Sequence, residues 1–198
     1  MKGKFIVFEG IDRTGKTTQI KMLKDSGVLG DNTIFVSSLP EDDSVAGQLR
    51  VMGLDSTNPV APTTRSLLFL SAISYQIDKV ILPALESGVN VVCDRYVYSN
   101  LAYQDVGFNE VIADKLLSQC NPDAVIYLTI DTDVYLDRLS NRGNQIIDVT
   151  ETTDVDKVER LLFRYGKVLS KYPNIHRISS NDSRDAIHNE IKRLLVDI

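Results

Sequence analysis

Eight residues, Gly10-Ile-Asp-Arg-Thr-Gly-Lys-Thr17, leave this chain few ways to fold. They stand between the apolar run Phe5-Ile-Val-Phe8 and the helix-like Thr18-Gln-Ile-Lys-Met-Leu-Lys24, in the order strand, loop, helix. The spacing G-x-x-x-x-G-K-[ST] is that of a phosphate-binding loop. Glycines at 10 and 15 allow a tight turn, so that successive N–H groups and the positive end of the following helix converge on one anion. A polyphosphate suits that geometry. Gly10, Asp12, Arg13, Thr14, Gly15, Lys16, Thr17 and Thr18 are therefore the candidate nucleotide contacts. Lys16 is placed to bridge the terminal phosphates, and the Thr17 hydroxyl to hold a magnesium ion carried in with the nucleotide. Arg13 either reaches the terminal phosphate or faces solvent.

The rest of the chain follows the same alternation. Apolar runs at 4–9, 33–36, 89–93, 124–130 and 175–178 read as five buried strands. Helical periods separate them: Leu67, Leu70, Ile73, Ile77 and Ile81; Ile112 and Leu116; Val155, Val158, Leu162, Tyr165 and Leu169; Ile187, Ile191, Leu194 and Leu195. Strands alternating with helices predict an α/β three-layer fold, a five-stranded parallel sheet flanked by helices. At 198 residues, with no break in composition, the chain reads as a single domain. Ligands of such sheets gather at the carboxyl ends of the strands.

Composition removes several classes of function. A net charge of -5 and a pI near 5.1 argue against a broad nucleic-acid-binding face, and small-molecule partners fit better. Cys93 and Cys120 make neither a disulfide framework nor a metal spacing, which suggests a reducing compartment. His176 and His188 lie far from any metal-like grouping, so the mechanism is expected to do without histidine or zinc. The amino terminus runs into too short an apolar stretch for a signal peptide, and no segment is expected to span a membrane. The expectation is a soluble cytoplasmic protein.

A second group of chemically useful residues, Asp94-Arg-Tyr96, directly follows the third strand, at the edge where the phosphate loop opens. Asp94 could orient the magnesium shell through water, and Arg95 could grip an acceptor phosphate in bidentate fashion. An Asp94–Arg95 salt bridge closing the strand is the structural alternative. Glu41-Asp-Asp43 reads as a solvated loop, and the polar segment 141–154 as a short lid.

Phe8 to Gln19 and Asp94-Arg-Tyr-Val-Tyr-Ser-Asn-Leu-Ala-Tyr-Gln104 together resemble thymidylate kinase, a nucleoside monophosphate kinase. Asn121 to Asp131, Arg138-Leu-Ser-Asn-Arg-Gly143 and Arg160 to Tyr165 are similar to the same family in order, so the resemblance covers nearly the whole chain. It implies transfer of the terminal phosphoryl group of ATP to dTMP with magnesium, in dTTP biosynthesis, by a homodimer joined through helices. The monophosphate-binding part would lie at about 37–82. Asp12 would reach the deoxyribose 3′-hydroxyl, Arg95 would hold the acceptor phosphate beside Ser99, Asn100 would bond the base, and Tyr103 would exclude a 2′-hydroxyl. Packing roles for Tyr103 and a capping role for Asn100 are the alternatives. Arg13 would be the catalytic arginine supplied by the loop. Arg138 and Arg142 would assist at the ATP phosphates or remain solvated helix charges, and Arg50 resembles a phosphate-contacting arginine.

The chain also departs from the family pattern. Leu39-Pro-Glu-Asp-Asp43 lacks an expected basic residue, and the family's stacking phenylalanine and base-reading arginine align with Leu70 and Ser74. Phe69 would replace the stacking face only if the register shifted by one helical step, about 100°. These departures lead to an expectation of broader base tolerance, with dUMP accepted beside dTMP. The competing classes are a GTPase switch, for which the N-K-x-D guanine signature is missing, and a non-catalytic nucleotide-sensing module.

Overall fold

The computed structural model describes residues 2–104, 107–141 and 152–196. Its strands are β1 (Phe5–Glu9), β2 (Thr33–Ser37), β3 (Asn90–Asp94), β4 (Ala124–Thr129) and β5 (Ile175–Ser179). All pairings are parallel, in the order β2-β3-β1-β4-β5. The helices are α1 (Lys16–Ser26), α2 (Val45–Leu54), α3 (Pro62–Gln76), α4 (Leu82–Glu86), α5 (Val97–Tyr103), α6 (Asn109–Gln119), α7 (Thr132–Ser140), α8 (Val155–Leu169) and α9 (Arg184–Val196).

The central strand explains the three layers. Successive side chains of a strand point to opposite faces, so β1 serves two cores at once. Phe5 and Val7 pack with Leu70, Ile73, Val97, Leu116, Tyr165 and Leu169 on one face. Ile6 and Phe8 pack with Leu23 of α1 and with Ile187, Ile191 and Leu195 of α9 on the other.

α3 and α4 are joined through a π-helical turn at Ile77–Ile81, just ahead of Pro83. Proline lacks an N–H and its ring crowds the preceding turn, and the widened turn accommodates both. The resulting 62–86 helix corrects one expectation, because by length and apolar composition alone it would suffice to cross a membrane. Its stripe of Leu70, Ile73, Ile77, Ile81 and Leu85 is instead buried in the larger core.

Strand order also fixes where a ligand can sit. The chain leaves β1 toward β2 on one side and later crosses from β3 to β4 on the other, so the crevice lies beyond the carboxyl ends of β1 and β3. In register, Phe8 stands opposite Asp94. The phosphate loop and the Asp94-Arg95 doublet therefore leave the sheet side by side.

Candidate active site

The loop after β1 is shaped by three residues with positive φ: Gly10 at 144°, Arg13 at 69° and Gly15 at 85°. A Cβ on Gly10 would stand 2.6 Å from the Leu128 carbonyl and 2.9 Å from Thr14 Oγ1, so only glycine passes there. Thr14 Oγ1 donates to the Ile11 carbonyl at 2.9 Å, and Gly15 caps α1 so that the helix begins at Lys16. Lys16 Nζ donates to the carbonyls of Gly10 (3.0 Å) and Ile11 (2.9 Å). Burial first, and then the nearby Arg95, push the ammonium pKa down to about 8 against the pull of Asp94, Asp12 and Glu9. Behind the loop, Arg138 donates to the Arg13 carbonyl at 2.9 Å and to the Ser180 carbonyl, which ties the loop to the end of β5.

Arg95 forms the facing wall. Its backbone takes a left-handed φ of 64°, a conformation that costs a side-chain-bearing residue on the order of 1–2 kcal/mol and is kept where surroundings impose it. Here its N–H donates to the Phe8 carbonyl at 2.9 Å. Nη1 donates to Gly10 O (2.9 Å), Tyr165 Oη (3.0 Å) and Ser99 Oγ (3.2 Å). Nη2 meets Asp12 Oδ1 at 2.5 Å, and Asp12 Oδ2 accepts from the Tyr103 hydroxyl at 3.0 Å. The guanidinium also lies 5.4 Å from the Tyr103 ring centroid. Arg95 is thus paired with Asp12, whereas Asp94 Oδ1 is buried without a hydrogen-bond partner.

Glu9, fully buried at the end of β1, supports this arrangement from behind. Oε1 accepts from the N–H groups of Tyr96 (2.8 Å) and Ser99 (3.2 Å), and Oε2 from Ser99 Oγ (2.7 Å) and Tyr165 Oη (3.2 Å). Burial holds its pKa above the ordinary carboxylate value, against the opposing pull of Arg95, Ser99, the Tyr96 N–H and Lys16. Four donors converging on two oxygens are the environment of an ionised carboxylate, because a protonated one would have to donate.

A cleft of about 290 Å³ joins the two walls. Asp12, Lys16, Thr17, Arg50, Asp94, Arg95, Ser99, Asn100 and Tyr103 all line it. Gly10, Thr14 and Gly15 shape the loop, Thr18 is half-buried in the first turn of α1, and Arg138 braces the loop from behind. Arg142 and most of the segment 141–154 lie outside the described residues.

Two positions need correction. Leu70 is buried in the core at 3% exposure, and Ser74 is exposed away from the cleft lining. Phe69 and Ile73, one residue earlier and one turn apart, line the cleft instead. The register shift therefore puts an aromatic ring at the wall and an isoleucine where a guanidinium was expected. The aromatic half of that departure is thereby removed, while the base-reading guanidinium is still missing, with Ile73 in its place.

Glu9, Tyr165, Glu41 and Ser38 emerge only in three dimensions. Glu41, on the segment read as a solvated loop, lines the cleft and pairs with Arg50 at 2.7 Å. Ser38 also lines it, and its buried hydroxyl has no hydrogen-bond partner. A charged residue ending an otherwise apolar strand was the available signal for Glu9. Tyr165 read simply as one more apolar position of α8.

A family model described as thymidylate kinase matches residues 8–191. The chain belongs to the thymidylate kinase family. Thymidylate kinases from Clostridium novyi (31% identical, 98% of each chain) and Prochlorococcus marinus (34% identical, 100% of this chain and 97% of the relative) are similar along essentially the full length. A solved thymidylate kinase from Candida albicans shares the fold with a TM-score of 0.77 at 18% identity, over 99% of this chain and 92% of that one. The five-stranded parallel sheet is therefore that of the thymidylate kinases.

Proposed function

We propose that the protein transfers the terminal phosphoryl group of ATP to dTMP, giving ADP and dTDP. The observation that carries this reading is one cleft lined by Lys16 and Thr17 of a phosphate loop and by Arg95, Asn100 and Tyr103 opposite them. Two anion-binding groups sharing one cleft suit end-to-end phosphates better than a single nucleotide. An acceptor phosphate is already largely ionised near neutral pH, so no general base is demanded. The requirements are in-line positioning and neutralisation of charge between donor and acceptor, which Lys16, Arg13 and Arg95 supply.

Asp94 and Thr17 fit a magnesium ion, since one presents a buried carboxylate oxygen without a partner and the other a hydroxyl in the same cleft. Magnesium needs few protein ligands when phosphates complete its shell, and there it would offset phosphate charge. Asp12 would meet the 3′-hydroxyl, Asn100 the base and Arg50 the acceptor phosphate. Residues 37–82 would form the monophosphate-binding part, and 141–154 the lid. A homodimer, small-molecule substrates in ATP and a deoxynucleoside monophosphate, no nucleic-acid or membrane partner, and the cytoplasm as compartment complete the reading. Two buried free thiols, Cys93 and Cys120, support a reducing compartment.

The comparisons do not favour broader base tolerance as the primary function. A coupled ADP-release assay with dTMP, ATP and magnesium tests the proposal. Turnover that requires the monophosphate supports it, and ADP release independent of dTMP, or none at all, overturns it.

A further inference from the structure

Gly53 sits in the last turn of α2, buried against α3. It is not among the glycines with positive φ, so its presence owes nothing to unusual backbone conformation. Glycine weakens a helix interior relative to alanine, and one without a conformational reason calls for a packing reason. The reason lies directly across. A Cβ on Gly53 would stand 2.4 Å from Phe69 Cε1, 3.0 Å from Cζ and 3.1 Å from Cδ1, where ordinary contact is 3.4–4 Å.

Parting the helices to make room would break a contact between them. Arg65, one turn before Phe69 on α3, donates from Nε to the Gly53 carbonyl at 2.8 Å and pins the end of α2 to α3. The Phe69 ring is 7% exposed, and the space open to it is the cleft it lines with Leu54 and Ile73. A methyl group at position 53 would therefore drive the ring about 1 Å into the cleft, since packed interiors leave little other slack.

We propose that Gly53 is a positioning residue for the acceptor: by lacking a side chain it lets the Phe69 ring stand back, and so fixes the width of the slot that receives the monophosphate. This rests on the acceptor reading of the cleft. A narrowed slot penalises the monophosphate and leaves ATP, held by the phosphate loop, unaffected. A loss of stability alone would weaken both substrates by the same factor.

The test is steady-state kinetics of Gly53→Ala, Phe69→Leu and the double variant with dTMP and ATP. For Gly53→Ala, KM for dTMP is expected to rise about 10-fold, with KM for ATP within about twofold. In the double variant the smaller leucine removes the clash, and KM for dTMP returns to that of Phe69→Leu. Unchanged constants in Gly53→Ala, or equal losses for dTMP and ATP, overturn the proposal while leaving the kinase reading intact. A wild-type protein inert toward dTMP overturns the kinase reading itself. If Gly53→Ala is insoluble, a soluble double variant with the KM of Phe69→Leu supports the proposal. An equally insoluble double variant overturns it, because the harm would not run through the ring.

Discussion

Tyr165 and Arg95 meet through a single hydroxyl, which stands 3.0 Å from Arg95 Nη1 and 3.2 Å from Glu9 Oε2. The phenol of α8 thus accepts from the guanidinium while donating to the carboxylate, and Ser99 Oγ runs beside it with contacts of 3.2 and 2.7 Å. Removing one of two parallel bridges loosens Arg95 without unseating it. Tyr165→Phe is expected to lower kcat/KM for dTMP about 10-fold, the effect of one charge-assisted hydrogen bond, with KM for ATP within about twofold. Initial rates with each substrate varied in turn check this, and a variant with wild-type acceptor kinetics would refute the bridge.

Glu9 is a test of stability rather than turnover. Glu9→Ala leaves four donors without an acceptor and a hole at the end of β1, so a loss of roughly 3–5 kcal/mol is expected. Glu9→Gln keeps the shape and one acceptor oxygen and should lie between the two. Urea denaturation of the three proteins would show that order; equal midpoints would mean that the carboxylate contributes nothing to the fold.

Lys16 gives a pH dependence of definite sign. Its pKa in the empty protein is pushed down to about 8, so the ammonium is charged below that pH and neutral above it. ATP capture needs the charge, so kcat/KM for ATP should fall on the alkaline side, about tenfold per pH unit above pH 8. Bound phosphates pull the pKa back up, so kcat at saturating ATP should hold to higher pH. A flat kcat/KM between pH 7 and 9.5 would contradict this assignment. Lys16→Met should remove the charge at every pH and cost kcat a factor on the order of 100 or more, with the fold retained.

Glu41 competes for Arg50. Their ion pair is largely exposed on the carboxylate side, so it contributes little to stability, on the order of 0–1 kcal/mol. It nevertheless holds a cleft-lining guanidinium that an acceptor phosphate would also seek. Glu41→Gln should lower KM for dTMP about two- to fivefold, most visibly at low salt, with an unchanged melting temperature. A raised KM would mean that Glu41 orients Arg50 for the acceptor instead of occupying it.

The strands were legible because a doubly covered parallel strand is apolar without interruption, and all five runs lie within a residue or two of the observed elements. The loop was legible because its glycines answer to backbone geometry that no other residue meets. α2 escaped notice: its sequence, VAGQLRVMGL, carries two glycines, and one of them serves a ring on the next helix. The Leu70 assignment failed for a related reason. Both Phe69 and Leu70 are apolar and buried, and only the packing of α2 against α3 decides which of them faces the cleft. Glu9 and Tyr165 lie 156 positions apart, and no local pattern announces a hydrogen bond over that distance.

Lys16 spends the resting state bonded to two carbonyls of its own loop. Nucleotide capture is then a change of partners rather than the filling of a vacancy. Two of the three ammonium protons are already directed at backbone oxygens, so an arriving triphosphate displaces those oxygens. The cradle keeps its curvature between turnovers because its own cation serves as the placeholder.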